Sequence, residues 1–204
     1  MESLLQQPDI KRKIADSIFV AQNLFSRNKV SGSSANLSFR HDEHIFISAT
    51  GSSFGNLTPN DFSVIDFSGN VVEGAKPSKE FPLHLAFYRK DSKIGAVLHT
   101  HSFFSTLWSC LKDIPPNDAV PKYTPYLEMK LGKIGIVPYA PPGSKELFKA
   151  MENNINNAAG FLLSHHGPIV PGKNIKDAFF ILEELEESCK VAWFMRHESA
   201  VETI

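Results

Sequence analysis

The chain has 204 residues, enough for one domain with its own core, and a formal net charge of -1, which excludes the basic face that nucleic-acid binding needs. Hydrophobic residues make up 42% and charged residues 21%, ordinary values for a globular protein, and no apolar run reaches the roughly 20 residues that span a bilayer. The opening segment MESLLQQPDIKRK lacks the basic-then-apolar order of a signal peptide, and Cys110 and Cys189 stand in unrelated contexts, so a cytoplasmic setting without disulfides is expected.

In chain order, residues 3–27 read as an amphipathic helix, with Ile14, Ile18, Ala21, Leu24 and Phe25 at helical spacing. A small-residue turn from Val30 becomes a strand by Phe39, and a hairpin about Arg40–Glu43 leads to a second strand at His44–Ser48. A Gly/Ser turn follows at Thr50–Gly55, then a strand at Phe62–Phe67 and a turn at Ser68–Asn70. Ser78 is placed to cap a helix running to about Arg89, with Pro82 in its first turn, where a missing N–H costs little. Ile94–Leu98 is a buried-type strand that runs into His99-Thr100-His101, ahead of a helix over about 103–111. The Pro-rich loop Lys112–Tyr126 exceeds what a connector needs. Then come a strand at Ile134–Pro138, a helix from Ser144 through Asn154, a strand at Phe161–Ser164 ending in His165-His166-Gly167, and a helix over about 175–197. Such a mixture predicts an α/β fold in a single domain over 1–204, with helices layered on a largely antiparallel sheet.

Alternate residues of a strand point the same way, so His99 and His101 offer two imidazoles on one face while Thr100 turns away. The second strand ending in histidine and glycine adds His166, beside a residue that permits close approach, and Glu80 stands at the start of a helix, held by backbone geometry. Three histidines and a carboxylate suit one zinc ion, or manganese or cobalt. A cupin-type barrel also uses His-x-His but needs a glutamate a few residues on, where this chain has Phe103-Phe-Ser-Thr-Leu107. His165 and His166 cannot both point inward from an extended segment, so His165 is expected to be a neighbour and not a ligand. His84, one turn after Glu80, has two readings, a group behind the metal site or an ordinary half-buried helix position. No role is expected for His41, His44 or His197.

Three segments have the make-up of an anion cradle. Ser33-Ser-Ala-Asn36 and Thr50-Gly-Ser-Ser53 supply hydroxyls, an amide and backbone N–H groups, and Ser78 with Lys79 stands at a helix N-terminus.

The ordered series Gly32-Ser-Ser-Ala-Asn-Leu-Ser38, Thr50-Gly51, Pro77-Ser-Lys-Glu80, His99-Thr-His101 and Leu162-Leu-Ser-His-His-Gly167 resembles the class II aldolase/adducin family from about residue 15 to 195. Pro77-Ser-Lys-Glu-Phe-Pro-Leu-His84, Tyr123-Thr-Pro-Tyr126, Val137-Pro-Tyr139 and Glu183-Glu-Leu-Glu-Glu187 look most like its 3-oxo-tetronate 4-phosphate decarboxylase branch. The resemblance implies a three-layer α-β-α sandwich, a homotetramer with active sites at subunit interfaces, and zinc on the three histidines, with Glu80 as ligand or acid/base. It matches Ser33, Asn36, Thr50, Gly51 and Ser78 to phosphate-contacting positions, and it sets Tyr126 near a tyrosine that aldolase members supply across the interface as a proton donor. Lys79 replaces a serine of the fuculose aldolase pattern and is the candidate for a second substrate anion.

Zinc chelated by a hydroxy-ketone acts as a Lewis acid that stabilises an enediolate. A decarboxylase reaches that enediolate by losing CO2 from 3-oxo-tetronate 4-phosphate, leaving dihydroxyacetone phosphate, and Glu80 or Tyr126 could deliver the proton. The alternative is reversible aldol cleavage of a ketose 1-phosphate. A non-catalytic adducin-like interaction module ranks last, because all four candidate ligands stand in the sequence.

Overall fold

The computed structural model describes residues 3–204. Its centre is an eight-stranded sheet in the order β4-β3-β2-β1-β5-β8-β7-β6. The strands are β1 (Asn36–His41), β2 (His44–Ser48), β3 (Phe62–Asp66), β4 (Val71–Gly74), β5 (Ala96–His99), β6 (Ile134–Val137), β7 (Gly160–Leu163) and β8 (Gly167–Gly172). All neighbouring pairs are antiparallel except β6 with β7, which run parallel. The sheet is therefore mixed, because the chain crosses from β6 to β7 through a helix instead of a hairpin.

Alternation along the strands divides the apolar side chains between two layers. Phe39, Phe46, Val64, Leu98, Leu162 and Val170 pack on one side with α1 (Pro8–Ser26) and α6 (Ile175–Met195). Ile45, Ile47, Ile65, Val97, Phe161 and Ile169 pack on the other with α2 (Phe81–Lys90) and α5 (Lys145–Asn154). Hydrophobic faces on both sides of one sheet require helices on both sides, which produces the three-layer sandwich. Burial of Leu83, Leu85 and Phe87 contributes about 1.5–3 kcal/mol each, and it fixes α2 on the sheet together with the residue before it, Glu80.

Several boundaries differ from the sequence reading for identifiable reasons. The expected first helix is a short turn at Leu4–Gln6 followed by α1, because Pro8 takes the first helical position, where its ring and missing N–H fit. Ser78 does not cap α2. The helix begins at Phe81 with Glu80 in the cap position, and the Ser78 hydroxyl accepts from the Glu80 backbone N–H at 3.3 Å. The loop after Lys112 ends in an unforeseen helical turn, α4 (Tyr126–Lys130), and a short helix α3 (Phe103–Ser109) precedes it. Strand β8 was hidden by its sequence Gly-Pro-Ile-Val-Pro-Gly. Pro168 stands near its start, and Pro171 lies beyond Gly167–Ile169, the stretch that pairs with β7, so its missing N–H interrupts no bond to that strand.

Candidate metal centre

Strand β5 ends at His99, the register partner of Asn36 on β1 and of Ile169 on β8. Thr100 is fully buried, and His101 turns back to the His99 side, with ring centroids 5.2 Å apart. His166 comes from the tight β7–β8 connection, where the His166 N–H bonds the Leu163 carbonyl at 3.0 Å and His165 takes a left-handed φ of 55°. That turn buries His166, as expected, but leaves His165 exposed, its ring 5.8 Å from that of Tyr139, in place of the packed or hydrogen-bonded neighbour the sequence suggests. Gly167 makes the junction possible. A Cβ there would sit 2.3 Å from the Thr100 carbonyl oxygen, so only glycine lets β8 approach the His-x-His segment.

The three imidazoles lie edge-on to one another at 4.7–5.2 Å, with ligand atoms all within 4.8 Å. Glu80 completes the group, with Oε2 3.5 Å from His99 Nε2 and Oε1 3.6 Å from His166 Nε2. Its position comes from the segment before α2. Ala49 bridges Pro77, the Ser78 N–H bonds the Ser48 carbonyl at 3.1 Å, and the Thr50 N–H bonds the Lys76 carbonyl at 3.0 Å.

The residues fit a metal ion by two observations. His99 Nε2, His166 Nδ1 and Glu80 Oε1 are buried without a hydrogen-bond partner among the described residues, an expensive state for polar atoms unless something binds them. His99 Nδ1 is engaged with the Pro168 carbonyl at 2.8 Å, which reserves Nε2 for the centre. The histidines are also poised as neutral donors. Burial, then the nearby His166 and His101, holds His99 well below its ordinary value. Burial and His166 bring His101 down to about 4, and burial likewise lowers His166.

A cavity of about 190 Å³ opens over the centre. Ser33, Asn36, Thr50, Gly51, Ser78, Lys79, Glu80, His101 and His166 all line it, so the three anion-type segments do converge on the metal residues. Gly51 turns there with φ 77°. Lys79 makes no ion pair among the described residues, and its aliphatic stem lies against Gly143, where a Cβ would stand 2.7 Å from Lys79 Cδ. Tyr126 does not line this cavity. It stands 57% exposed at the start of α4.

Two groups went unassigned in the sequence reading. Glu186 of α6 is buried and accepts from the Phe104 and Ser105 N–H groups, at 3.0 and 2.9 Å, and from the Ser105 hydroxyl at 2.7 Å. It thereby caps α3, which starts two residues after His101, while Ser102 provides no side-chain cap. The sequence signal was a glutamate four residues after Leu182 on the apolar face of α6. The other is His84, which is fully buried and pushed down to about 3 by burial and by His99, against the pull of Glu80. An unfolded histidine protonates near 6.5, but this one does not, so the stability due to its neutral form is complete above that value and declines as pH falls toward about 3. Between pH 6 and 4, urea unfolding of metal-free His84→Gln is expected to lose stability less steeply than wild type by about one proton, roughly 1.4 kcal/mol per pH unit.

A sheet covered on both faces, with a buried three-histidine and carboxylate centre at the mouth of a small polar cavity, defines a small-molecule protein of the metal-site type. The chain belongs to the class II aldolase and adducin N-terminal domain family, which it matches over residues 16–193. It is 39% identical to a 3-oxo-tetronate 4-phosphate decarboxylase of Haemophilus influenzae, over 84% of this chain and 82% of that protein. To an L-fuculose phosphate aldolase of Methanocaldococcus jannaschii it is 37% identical, over 85% and 92%. The crystal structure of YgbL from Klebsiella pneumoniae superposes with a TM-score of 0.90 at 31% identity, covering 95% of this chain and 93% of that one.

Proposed function

We propose that this chain is a cytoplasmic, metal-dependent lyase that converts 3-oxo-tetronate 4-phosphate to dihydroxyacetone phosphate and CO2. The observation that carries the reading is Lys79, an ammonium without an ion-pair partner among the described residues, in the cavity that also presents Glu80, His101 and His166. Such a substrate brings two anions. Ser33, Asn36, Thr50, Gly51 and Ser78 hold the phosphate through hydroxyls, an amide and backbone N–H groups. Lys79 holds the carboxylate as a point charge, with its stem steadied against Gly143.

A divalent ion on His99, His101 and His166, for which zinc, manganese and cobalt are all suitable, supplies a Lewis acid for the substrate's oxygens. When the bond to the departing CO2 breaks, the carbon left behind must gain one proton. Glu80 is the nearest carboxylate and handles that proton at Oε1, the oxygen without a protein partner. Tyr126, exposed on its own chain, acts on the cavity of a neighbouring subunit in a homotetramer, an assembly supported by the exposed Phe19, Phe103, Phe180 and Phe194.

The second reading, aldol cleavage of a ketose 1-phosphate, ends in the same protonation and is supported by relatives named L-fuculose phosphate aldolase. The two are separated by assay. Wild type is expected to release CO2 from 3-oxo-tetronate 4-phosphate far faster than it cleaves L-fuculose 1-phosphate. Lys79→Ser should lower decarboxylation by about 1–3 kcal/mol of transition-state stabilisation, roughly 5- to 150-fold in kcat/KM. Efficient ketose cleavage with no CO2 replaces the decarboxylase by the aldolase.

A further inference from the structure

Behind Glu80 runs a series of buried polar side chains, of which only Asn36 also lines the cavity. Glu80, His84 and Tyr88 are spaced four residues apart along one face of α2 and its cap, and they meet Asn36 and Ser38, alternate residues of β1. All five are at most 6% exposed. Tyr88 Oη lies 2.7 Å from Ser38 Oγ, Ser38 Oγ lies 2.8 Å from His84 Nδ1, His84 Nε2 lies 2.6 Å from Asn36 Oδ1, and Asn36 Nδ2 lies 3.1 Å from Glu80 Oε2.

The sense of every bond follows from the carboxylate end. An ionised carboxylate only accepts, so Asn36 must turn its amide nitrogen to Glu80 and its oxygen to His84. An amide oxygen also only accepts, so His84 must carry its proton on Nε2. The neutral ring then offers a lone pair at Nδ1, to which the Ser38 hydroxyl donates while accepting from Tyr88. No link can be reversed alone without setting two donors or two acceptors face to face in a buried site.

We propose that Tyr88, Ser38, His84 and Asn36 form a one-way hydrogen-bond chain that positions Glu80, tying Oε2 and leaving Oε1 as the carboxylate oxygen without a hydrogen-bond partner among the described residues. Tyr88, Ser38 and His84 are positioning residues that act through Asn36, and their effect on turnover rests on the role given to Glu80 above. Oε1 keeps no partner among the described residues, while Oε2 accepts from Asn36, so the two oxygens are distinguished before any substrate arrives.

The direct test needs no substrate. In the full-length protein with nitrogen-15 histidine, two-bond proton–nitrogen correlations at pH 7.5, assigned by loss of the signal in His84→Leu, should show His84 as the neutral Nε2–H tautomer. An Nδ1–H tautomer overturns the chain. Kinetically, His84→Leu should lower kcat about 10- to 100-fold, the scale for groups that orient a metal-site residue, with KM within about twofold and metal content retained. Ser38→Ala should lower kcat by less, and Ser38→Thr, which restores the hydroxyl, should recover most of that loss. A merely structural role would lower metal content and kcat together and would leave the tautomer free. A His84→Leu protein that turns over at the wild-type rate overturns the proposal. If neither candidate substrate is consumed by wild type, the functional reading fails, while the tautomer still decides the chain; it decides it too if His84→Leu does not fold, with the signal then assigned in Ser38→Ala.

Discussion

A protein carrying both His101→Ala and His166→Ala is expected to bind essentially no divalent metal and to lose turnover by several orders of magnitude. Wild type should hold about one ion per chain, since the three imidazoles converge on a single point beside one carboxylate. The double substitution leaves His99 and Glu80, whose nearest atoms stand 3.5 Å apart, and two donors do not hold such an ion against water. The fold itself should survive. In the metal-free chain His166 Nδ1 is a buried atom without a partner among the described residues, and removing an unsatisfied polar group costs little stability. Elemental analysis beside circular dichroism makes the check, with His41→Ala as control, because His41 contacts Lys13 and Asp42 and not the centre. Full metal occupancy in the folded double variant would refute the site.

The histidine triad was legible in the sequence because strand alternation is a strict rule. Once residues 96–99 form a strand, His99 and His101 share a side, but His166 reaches the centre from a tight turn with His165 at a left-handed φ of 55°, not from the extended segment the sequence suggests. The convergence of the Ser33, Thr50 and Ser78 segments was legible as composition, but their meeting depends on the tether of Pro77 and Ser78 to the end of β2, a register that no local pattern encodes. For His84 the sequence left two readings, because a helix position says nothing about the strand it faces. The packing of α2 over β1 decides it, by placing Asn36 and Ser38 on either side of the ring. Strand β8 was missed because Gly-Pro and Pro-Gly are turn signals, and its pairing with β5 and β7 outweighs that local preference. Glu186 did leave a trace, a charge on an apolar helix face, but its partners are backbone N–H groups of a helix 81 residues away.

Glu80→Gln is expected to keep most of the metal and to lower kcat by about 10²- to 10⁴-fold, the range that a positioned acid–base group contributes. The substitution preserves size, and the amide oxygen can take the place of Oε2 and accept from Asn36, so the side chain remains anchored at the cap of α2. What changes is the other end. The oxygen beside His166 Nε2 becomes an NH2 group that can neither take up nor release a proton at neutral pH, and the carboxylate charge at the centre is lost. Because three histidines remain, occupancy should fall far less than turnover, and KM should move little, since Lys79 and the Ser33, Thr50 and Ser78 segments are untouched. Metal analysis and steady-state kinetics on one preparation separate the two roles of this carboxylate. A parallel fall of metal and kcat would make Glu80 a ligand first, and the proton would then have to come from another group, with Tyr126 of a neighbouring subunit the next to test. A Glu80→Gln protein with near-normal turnover would exclude Glu80 from the chemistry and would also remove the reason for the hydrogen-bond chain behind it.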